Sequence, residues 1–147
     1  MPVSIKIELC LPRDVATVPL VRHMLRHTLQ EYGVTGDCVA DVGLALSEAC
    51  ANVVEHTDGE DVYEVTVAVE DQQCDIRVID VGTGFDYMAL ADGDATDHLA
   101  ERGRGIALMH ALVDRAEFTS VPEKGTVVHL VKSLEFDVGP LGRPAPA

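Results

Sequence analysis

Basic residues are scarce in this chain, which has 25 acidic residues against 11 lysines and arginines and a formal net charge of −14. A surface with that charge repels the phosphates of DNA and RNA, so the composition argues against a nucleic-acid partner. A polyphosphate ligand would therefore have to be bound by local features, such as glycine-loop amides, a helix N-terminus, a metal ion or a few arginines.

The sequence also lacks a long apolar run. Because no stretch reaches ~18 apolar residues, we expect no membrane span, and residues 1–4 lack the charged-then-apolar pattern of a secretory signal. The four cysteines show no C-x-x-C spacing, which favours reduced, packed thiols: Cys10, Cys38, Cys50 and Cys74. Together these features predict a cytoplasmic protein without a membrane partner.

No internal repeat is visible, and 147 residues with 47% hydrophobic content predict one domain with a full core. We place that domain at residues 1–135 and predict a disordered, Pro-rich tail at 136–147. The hydrophobic periodicity first predicts a strand at 3–9, a helix that begins between 14 and 19, and a second helix at about 38–56 capped by Asp37. Two strands follow at 62–70 and 74–80, and then a long lid-like loop at 85–101. The last elements are a helix that opens at 103–105 and a closing hairpin formed by 116–121 and 126–132.

The first predicted helix has an apolar stripe, and several basic residues lie off it. His23 and His27 are four residues apart and could share a metal ion, but no third ligand accompanies them. We therefore interpret the basic residues as a solvated face: Arg13, Arg22, His23, Arg26 and His27.

A carboxylate and an amide lie on one face of the second predicted helix. Glu48 and Asn52 are four residues apart, so they point the same way one turn apart, within a segment that is otherwise small or apolar. Such groups are costly there unless they have partners. A polar stripe meeting solvent would explain them, and so would a catalytic base beside a metal ligand, because an amide oxygen suits Mg²⁺.

Two glycine-rich stretches follow. In the first, Asp80 ends an apolar strand and precedes Gly82 and Gly84, which allows a flat polar ligand such as adenine to approach the backbone. A tight strand-to-loop turn would have the same pattern. In the second, glycines open a helix beside two arginines and suit a phosphate, although a flexible hinge would look similar: Arg102, Gly103, Arg104, Gly105 and Ile106.

Taken together, the order and spacing of these motifs resemble the GHKL ATP-binding domain of histidine kinases, gyrase-type topoisomerases, heat-shock ATPase chaperones and mismatch-repair ATPases. The resemblance covers about residues 3 to 133. It is strongest to bacterial anti-sigma-factor serine/threonine kinases, whose S-E-A-x-x-N…H pattern appears here from Ser47 to Asn52, with His56 following. It implies an α/β (α+β) two-layer sandwich of the Bergerat type, with a mixed, mostly antiparallel sheet and helices on one face.

The resemblance also implies roles for individual residues. Glu48 would be the general base, Asn52 would bind Mg²⁺, and Asp80 would accept a hydrogen bond from the adenine amino group. The remaining positions would shape the adenine pocket or contact phosphates: Gly82, Gly84, Arg102, Gly103, Arg104, Gly105, Ile106 and Thr126. Arg104 departs from the family pattern, in which an uncharged residue is common between the lid glycines.

The activity implied is that of an ATP- and Mg²⁺-dependent kinase that phosphorylates an anti-sigma-antagonist protein and sequesters a sigma factor, as a homodimer. Two alternatives remain: a nucleotide-dependent protein-binding switch without kinase activity, and a detached histidine-kinase catalytic domain. Phosphoserine on a partner would indicate the serine kinase, and phosphohistidine on a partner would indicate the histidine-kinase domain. A partner that binds without being phosphorylated would indicate the switch.

Overall fold

The computed structural model describes residues 3–56, 59–82, 97–121 and 125–137. Within these ranges the chain forms three helices and five strands, in the order β1 (Ser4–Pro12), α1 (Thr17–Tyr32), α2 (Gly36–His56), β2 (Gly59–Glu70), β3 (Gln73–Gly82), α3 (Asp97–Leu112), β4 (Arg115–Val121) and β5 (Gly125–Ser133). The predicted order of elements is confirmed. Most of the predicted lid, residues 85–96, lies outside the described residues.

The five strands form one sheet in the order β1-β2-β3-β5-β4. All four strand pairings are antiparallel, so the parallel component that we expected in a mixed sheet does not occur among the described strands. The β3–β5 pairing brings the two central strands together, and it sets Asp80 directly opposite Thr126. The sheet therefore joins two residues that are far apart in sequence.

Burial alternates along the central strands, as expected for a sheet covered on one face. The buried positions include Val65 and Val67 on β2, Ile76 and Val78 on β3, and Val128 on β5. They form one core with the apolar stripes of the helices, which are fully buried at Val21, Leu25 and Leu29 in α1 and at Val42, Leu46 and Val53 in α2. The predicted two-layer sandwich is confirmed.

The beginnings of the helices differ from the predictions. Thr35, not Asp37, caps α2, since the backbone N–H of Cys38 donates to Thr35 Oγ1 at 3.3 Å while Asp37 lies in the first turn. Before α1, the N–H of Ala16 donates to Asp14 Oδ1 at 2.8 Å and closes the turn that follows Pro12. Gly33 ends α1 with φ 101°, a left-handed conformation that glycine adopts readily.

Helix α3 begins earlier than predicted. Its first residue is Asp97, so residues 97–101 are helical rather than part of a loop, and Gly103 and Gly105 lie inside the helix. Their N–H groups are therefore not the free amides of a helix start, as we expected them to be. Glycine is a poor guide here because the preceding segment, Asp97 to Glu101, has an acidic first residue and good helix formers that extend the helix backwards.

The domain continues slightly beyond its predicted end. Phe136 forms an isolated antiparallel bridge with Val34, and its ring meets that of Tyr32 edge-on at 5.1 Å. The predicted tail at 138–147 lies outside the described residues. All four cysteines are free thiols, but Cys10 on β1 is exposed, so the prediction of packed thiols is wrong for that residue. None of the helices described for this chain has the length and apolar character to cross a bilayer.

Candidate active site

Three inward-facing side chains lie side by side at one end of the sheet. Asp80 is opposite Tyr63 on β2 and opposite Thr126 on β5. Because side chains alternate along a strand, the pattern that buries Ile76 and Val78 also turns Asp80 toward the helices. Asp80 and Thr126 are each 1% exposed, so this row places a carboxylate and a hydroxyl inside the protein.

The buried carboxylate is paired with a cation that the sequence did not point to. The guanidinium of Arg13, in the connection between β1 and α1, donates from Nη2 to Asp80 Oδ1. The Asp80 side chain is fully buried and that of Arg13 is 13% exposed. The interpretation of Arg13 as part of a solvated face is therefore wrong, because the register of β1 on β2 carries this residue to the end of the sheet where Asp80 lies.

The other side of this row has two polar atoms without partners. Asp80 Oδ2 and Thr126 Oγ1 are both buried, and neither has a hydrogen-bond partner among the described residues. Buried polar groups nearly always have a partner in a folded protein, so such atoms call for an explanation such as a ligand or a water. A neighbouring acceptor and hydroxyl suit a ligand with a polar edge, as an adenine ring has.

Tyr63 connects this row to helix α1. Its phenol oxygen lies 2.5 Å from Thr17 Oγ1, and Thr17 Oγ1 also donates to the carbonyl of Asp14 at 2.7 Å. Burial raises the pKa of Tyr63 to about 12, so the phenol stays neutral at physiological pH. These bonds fix the turn before α1, which is the segment that carries Arg13.

A second group of candidate residues lies between α2 and α3. Glu48 and Asn52 point to Gly105 of α3, where a Cβ would lie 2.8 Å from Glu48 Oε2 and 3.8 Å from Asn52 Oδ1. Asn52 Nδ2 is buried without a hydrogen-bond partner among the described residues. The structure thus brings together the carboxylate, the amide and one lid glycine that the sequence had grouped.

The Glu48 carboxyl group is shifted toward its protonated form. Partial burial raises its pKa above the ordinary value, and the nearby charge of Glu55 raises it further. A carboxylate with a raised pKa is a stronger base than one in water. This direction is the one that a general base requires.

The neighbouring residues fix the position of α2 against α1. Ser47, which precedes Glu48, donates its hydroxyl to the carbonyl of Gly43 at 2.9 Å and accepts a long hydrogen bond from Arg22 Nη1 at 3.4 Å. Arg22 of α1 therefore contacts the neighbouring helix α2 rather than solvent alone, so its interpretation as part of a solvated face is also wrong. These contacts orient the face of α2 that carries Glu48.

The remaining predicted site residues are spread over β3 and α3. Gly82 ends β3 opposite Gly59, and Gly84 lies outside the described residues. Arg102 lies in α3, as do the exposed Arg104 and the partly buried Ile106, which packs on the core. The structure therefore describes two groups of candidate residues: Asp80, Thr126 and Arg13 at the sheet, and Glu48, Asn52 and Gly105 between the helices.

The residues present fit ATP with Mg²⁺. The unpartnered Asp80 Oδ2 and Thr126 Oγ1 suit the polar edge of a base, and the unpartnered Asn52 Nδ2, an N–H donor, suits a phosphate oxygen. The amide oxygen of Asn52 is the atom that could bind the metal ion. In the described ranges, His, Cys, Asp and Glu side chains do not cluster in threes as a protein-made metal site would. An ion there would take most of its ligands from phosphate and water, which is usual for Mg²⁺.

The family of this domain follows from its similarity to known proteins. The family model of the histidine kinase-like ATPase domain matches residues 11–132, so the chain belongs to this family. The serine-protein kinase RsbW of Bacillus cereus strain G9842 is 28% identical over 139 residues, covering 88% of this chain and 86% of that protein. RsbW of Bacillus mycoides is also 28% identical, with the same coverage. These relatives support the predicted protein-kinase activity.

Solved structures share the fold. The RsbU and RsbW domains of a Mycobacterium tuberculosis protein match with a TM-score of 0.70 and 24% identity, over 97% of this chain and 35% of that one. The SiaB–SiaC complex of Pseudomonas aeruginosa matches with a TM-score of 0.55 and 17% identity, over 84% of this chain and 88% of that one. The predicted resemblance to the anti-sigma-factor kinase group is confirmed at the level of family and fold.

Proposed function

We propose that this protein is an ATP-dependent serine/threonine protein kinase that phosphorylates an anti-sigma-antagonist protein. The observation that carries the proposal is the pair of buried acceptors without partners, Asp80 Oδ2 and Thr126 Oγ1, in a domain of an ATP-binding family. The serine-kinase names of the relatives indicate the kind of acceptor.

In this proposal the sheet end selects the base of the nucleotide. Asp80 Oδ2 accepts a hydrogen bond from the adenine amino group, and Thr126 supports the same edge. Gly82 and Gly84 leave room for the ring, because glycine has no side chain to block a close approach. The buried position of Asp80 supports this role, since a hydrogen bond to a charged group in a dry site is strong.

Transfer of the phosphoryl group takes place at α2. Glu48 accepts the proton of the acceptor hydroxyl. At the same time the hydroxyl oxygen forms a bond to the γ-phosphorus, and the bond between that phosphorus and the β-phosphate oxygen breaks. The raised pKa of Glu48 supports this role. When bound, Mg²⁺ neutralises charge on the phosphates, and Asn52 is the residue that would hold it.

Phosphate contacts by the lid require a local change in α3. The N–H groups of Gly103 and Gly105 lie within a helix, and Gly105 sits directly against Glu48. For these amides and the charges of Arg102 and Arg104 to reach a phosphate, the first turns of α3 must unwind or move away from α2. We propose that nucleotide binding causes this movement.

The proposed regulatory role extends to partners. Besides phosphorylating its antagonist, the protein sequesters a sigma factor in the cytoplasm, as the resemblance to anti-sigma kinases implies. We also propose that it forms a homodimer. The resemblance to anti-sigma kinases is what implies the homodimer.

Incubation of the purified protein with labelled ATP, Mg²⁺ and antagonist-like proteins encoded near its gene tests the proposal. We expect label on one serine or threonine of one such protein, and no transfer when Mg²⁺ is chelated. Nucleotide-dependent binding of the partner without transfer would instead support a binding switch. Label on a partner histidine would support a histidine-kinase domain.

A further inference from the structure

The Arg13–Asp80 pair leaves the two oxygens of one buried carboxylate in different states. Oδ1 accepts a hydrogen bond from Arg13 Nη2, whereas Oδ2 has no partner among the described residues. Arg13 thus binds one oxygen of the carboxylate and leaves the other unpartnered within the described ranges, as is the hydroxyl group of Thr126 in the same row. A ligand could bind Oδ2 while the ion pair stays intact.

The ion pair with Arg13 fixes how Asp80 presents its other oxygen. The Asp80 side chain is fully buried, so its partner inside the protein determines how the carboxylate plane is oriented. A carboxylate accepts hydrogen bonds and donates none. The orientation of Asp80 therefore decides which groups of a ligand it can bind.

We propose that Arg13 is a specificity-determining positioning residue whose charged guanidinium holds the Asp80 carboxylate with Oδ2 available as an acceptor, and so makes the site select a 6-amino purine over a 6-oxo purine. The inference rests on the proposed function, because it assigns a cause to nucleotide choice at that same site. Adenine presents an amino donor at position 6, from which a carboxylate oxygen accepts a hydrogen bond. Hypoxanthine and guanine present a carbonyl oxygen there, which a carboxylate repels.

The location of Arg13 agrees with a positioning role. It lies in the turn between β1 and α1, which is fixed by the bonds of Thr17 to Tyr63 and to the carbonyl of Asp14. With 13% of its side chain exposed, the guanidinium is largely inside the protein beside the carboxylate. A planar guanidinium in a fixed loop also sets the orientation of the carboxylate plane.

The test compares the affinities for ATP and for inosine triphosphate, which differ at the 6-position of the purine. We expect the parent protein to prefer ATP by about tenfold or more, since a hydrogen bond to a charged group contributes at least that factor. In Arg13→Met, the ratio of the two affinities should fall to within about threefold, while Arg13→Lys, which retains the charge, should keep most of the preference. Arg26→Met is the matched control, because it removes an arginine of α1 outside the site and should leave the ratio unchanged.

A double-mutant cycle shows whether Arg13 acts through Asp80. In an Asp80→Asn background, adding Arg13→Met should not change the affinity ratio further. Should Arg13→Met fail to fold, Arg13→Gln carries the same comparison, because it keeps a donor but removes the charge. A purely structural role would lower both affinities equally and leave their ratio intact.

The outcomes separate the two claims. A parent that prefers ATP and an Arg13→Met variant with the same preference overturn the role of Arg13 but leave the proposed kinase function standing. A parent that binds neither nucleotide overturns the proposed function, and this inference with it. A change in ratio that persists in the Asp80→Asn background also contradicts the inference.

Discussion

Gly105 of α3 lies against the carboxylate of Glu48 on α2, so closely that a Cβ at position 105 would be 2.8 Å from Glu48 Oε2. The proposed catalytic base is therefore covered by a residue that has no side chain. This contact explains why a glycine, which weakens a helix, is found inside α3. It also places α3 next to the carboxylate that a substrate would have to reach.

Comparison of two glycine substitutions in α3 tests this contact. At Gly103 a Cβ would meet no atom of the described residues within 4 Å, so Gly103→Ala should stabilise the protein by about 0.5–1 kcal/mol through better helix propensity. Gly105→Ala should gain less, because the new methyl group has to shift the Glu48 carboxylate, which lies at the end of a flexible side chain. Urea unfolding of both variants gives the two values.

A background substitution provides the control. In Glu48→Ala, the obstacle at position 105 is gone, so Gly105→Ala should recover a gain similar to that of Gly103→Ala. Equal stabilisation by the two glycine substitutions in the parent protein would show that the contact between Gly105 and Glu48 places no energetic constraint on position 105.

Stability should fall at alkaline pH. Burial raises the pKa of Cys50 and of Cys74 from 9.0 to about 12, and that of Tyr63 from 10.0 to about 12. Below pH 9 all three groups are protonated in both the folded and unfolded states. Between pH 9 and 12 only the unfolded chain loses these protons, so the free energy of unfolding decreases, by on the order of a few kcal/mol at pH 11.

Urea unfolding under reducing conditions between pH 7 and 11 measures this loss. Cys74→Ala should flatten the alkaline decline, although it also creates a small cavity that lowers stability at every pH. A free energy of unfolding that stays constant up to pH 11 would contradict the assignment of these buried groups as protonated.

Substitution of Asp80 tests the nucleotide pocket. ATP with Mg²⁺ should stabilise the parent by roughly 2–3 kcal/mol at a ligand concentration one hundred times the dissociation constant. Asp80→Ala should abolish this gain. Because the change also removes the carboxylate that pairs with Arg13 and destabilises the free protein, the quantity to compare is the shift caused by ATP, not the melting temperature itself. A shift of parental size in Asp80→Ala would show that Asp80 does not bind the base.

The sequence predicted what depends on local periodicity. The spacing of Glu48 and Asn52 on one helix face is confirmed, and so is the position of Asp80 at the inner end of an apolar strand. The role of Arg13 could not be predicted, because its partner is 67 residues away and only the strand register brings them together. The predicted start of α3 was wrong because glycines normally mark helix ends, whereas Gly105 lies inside this helix, against Glu48.

The central claim is that Glu48 acts as the base for phosphoryl transfer while Asn52 serves nucleotide binding. These residues share a helix face, but their substitutions should affect different steps. Asn52→Ala removes an oxygen ligand and should weaken Mg²⁺-dependent ATP binding as well as transfer. Glu48→Gln preserves shape but removes the base, so ATP affinity by calorimetry should be retained.

The most direct measurement is the rate at which phosphoserine appears on the partner, followed by mass spectrometry, for the parent and for Glu48→Gln at saturating ATP. The account predicts a rate that is roughly 10²–10⁴-fold lower for the variant, the usual contribution of a positioned general base. Transfer by Glu48→Gln at the parental rate would contradict the mechanism.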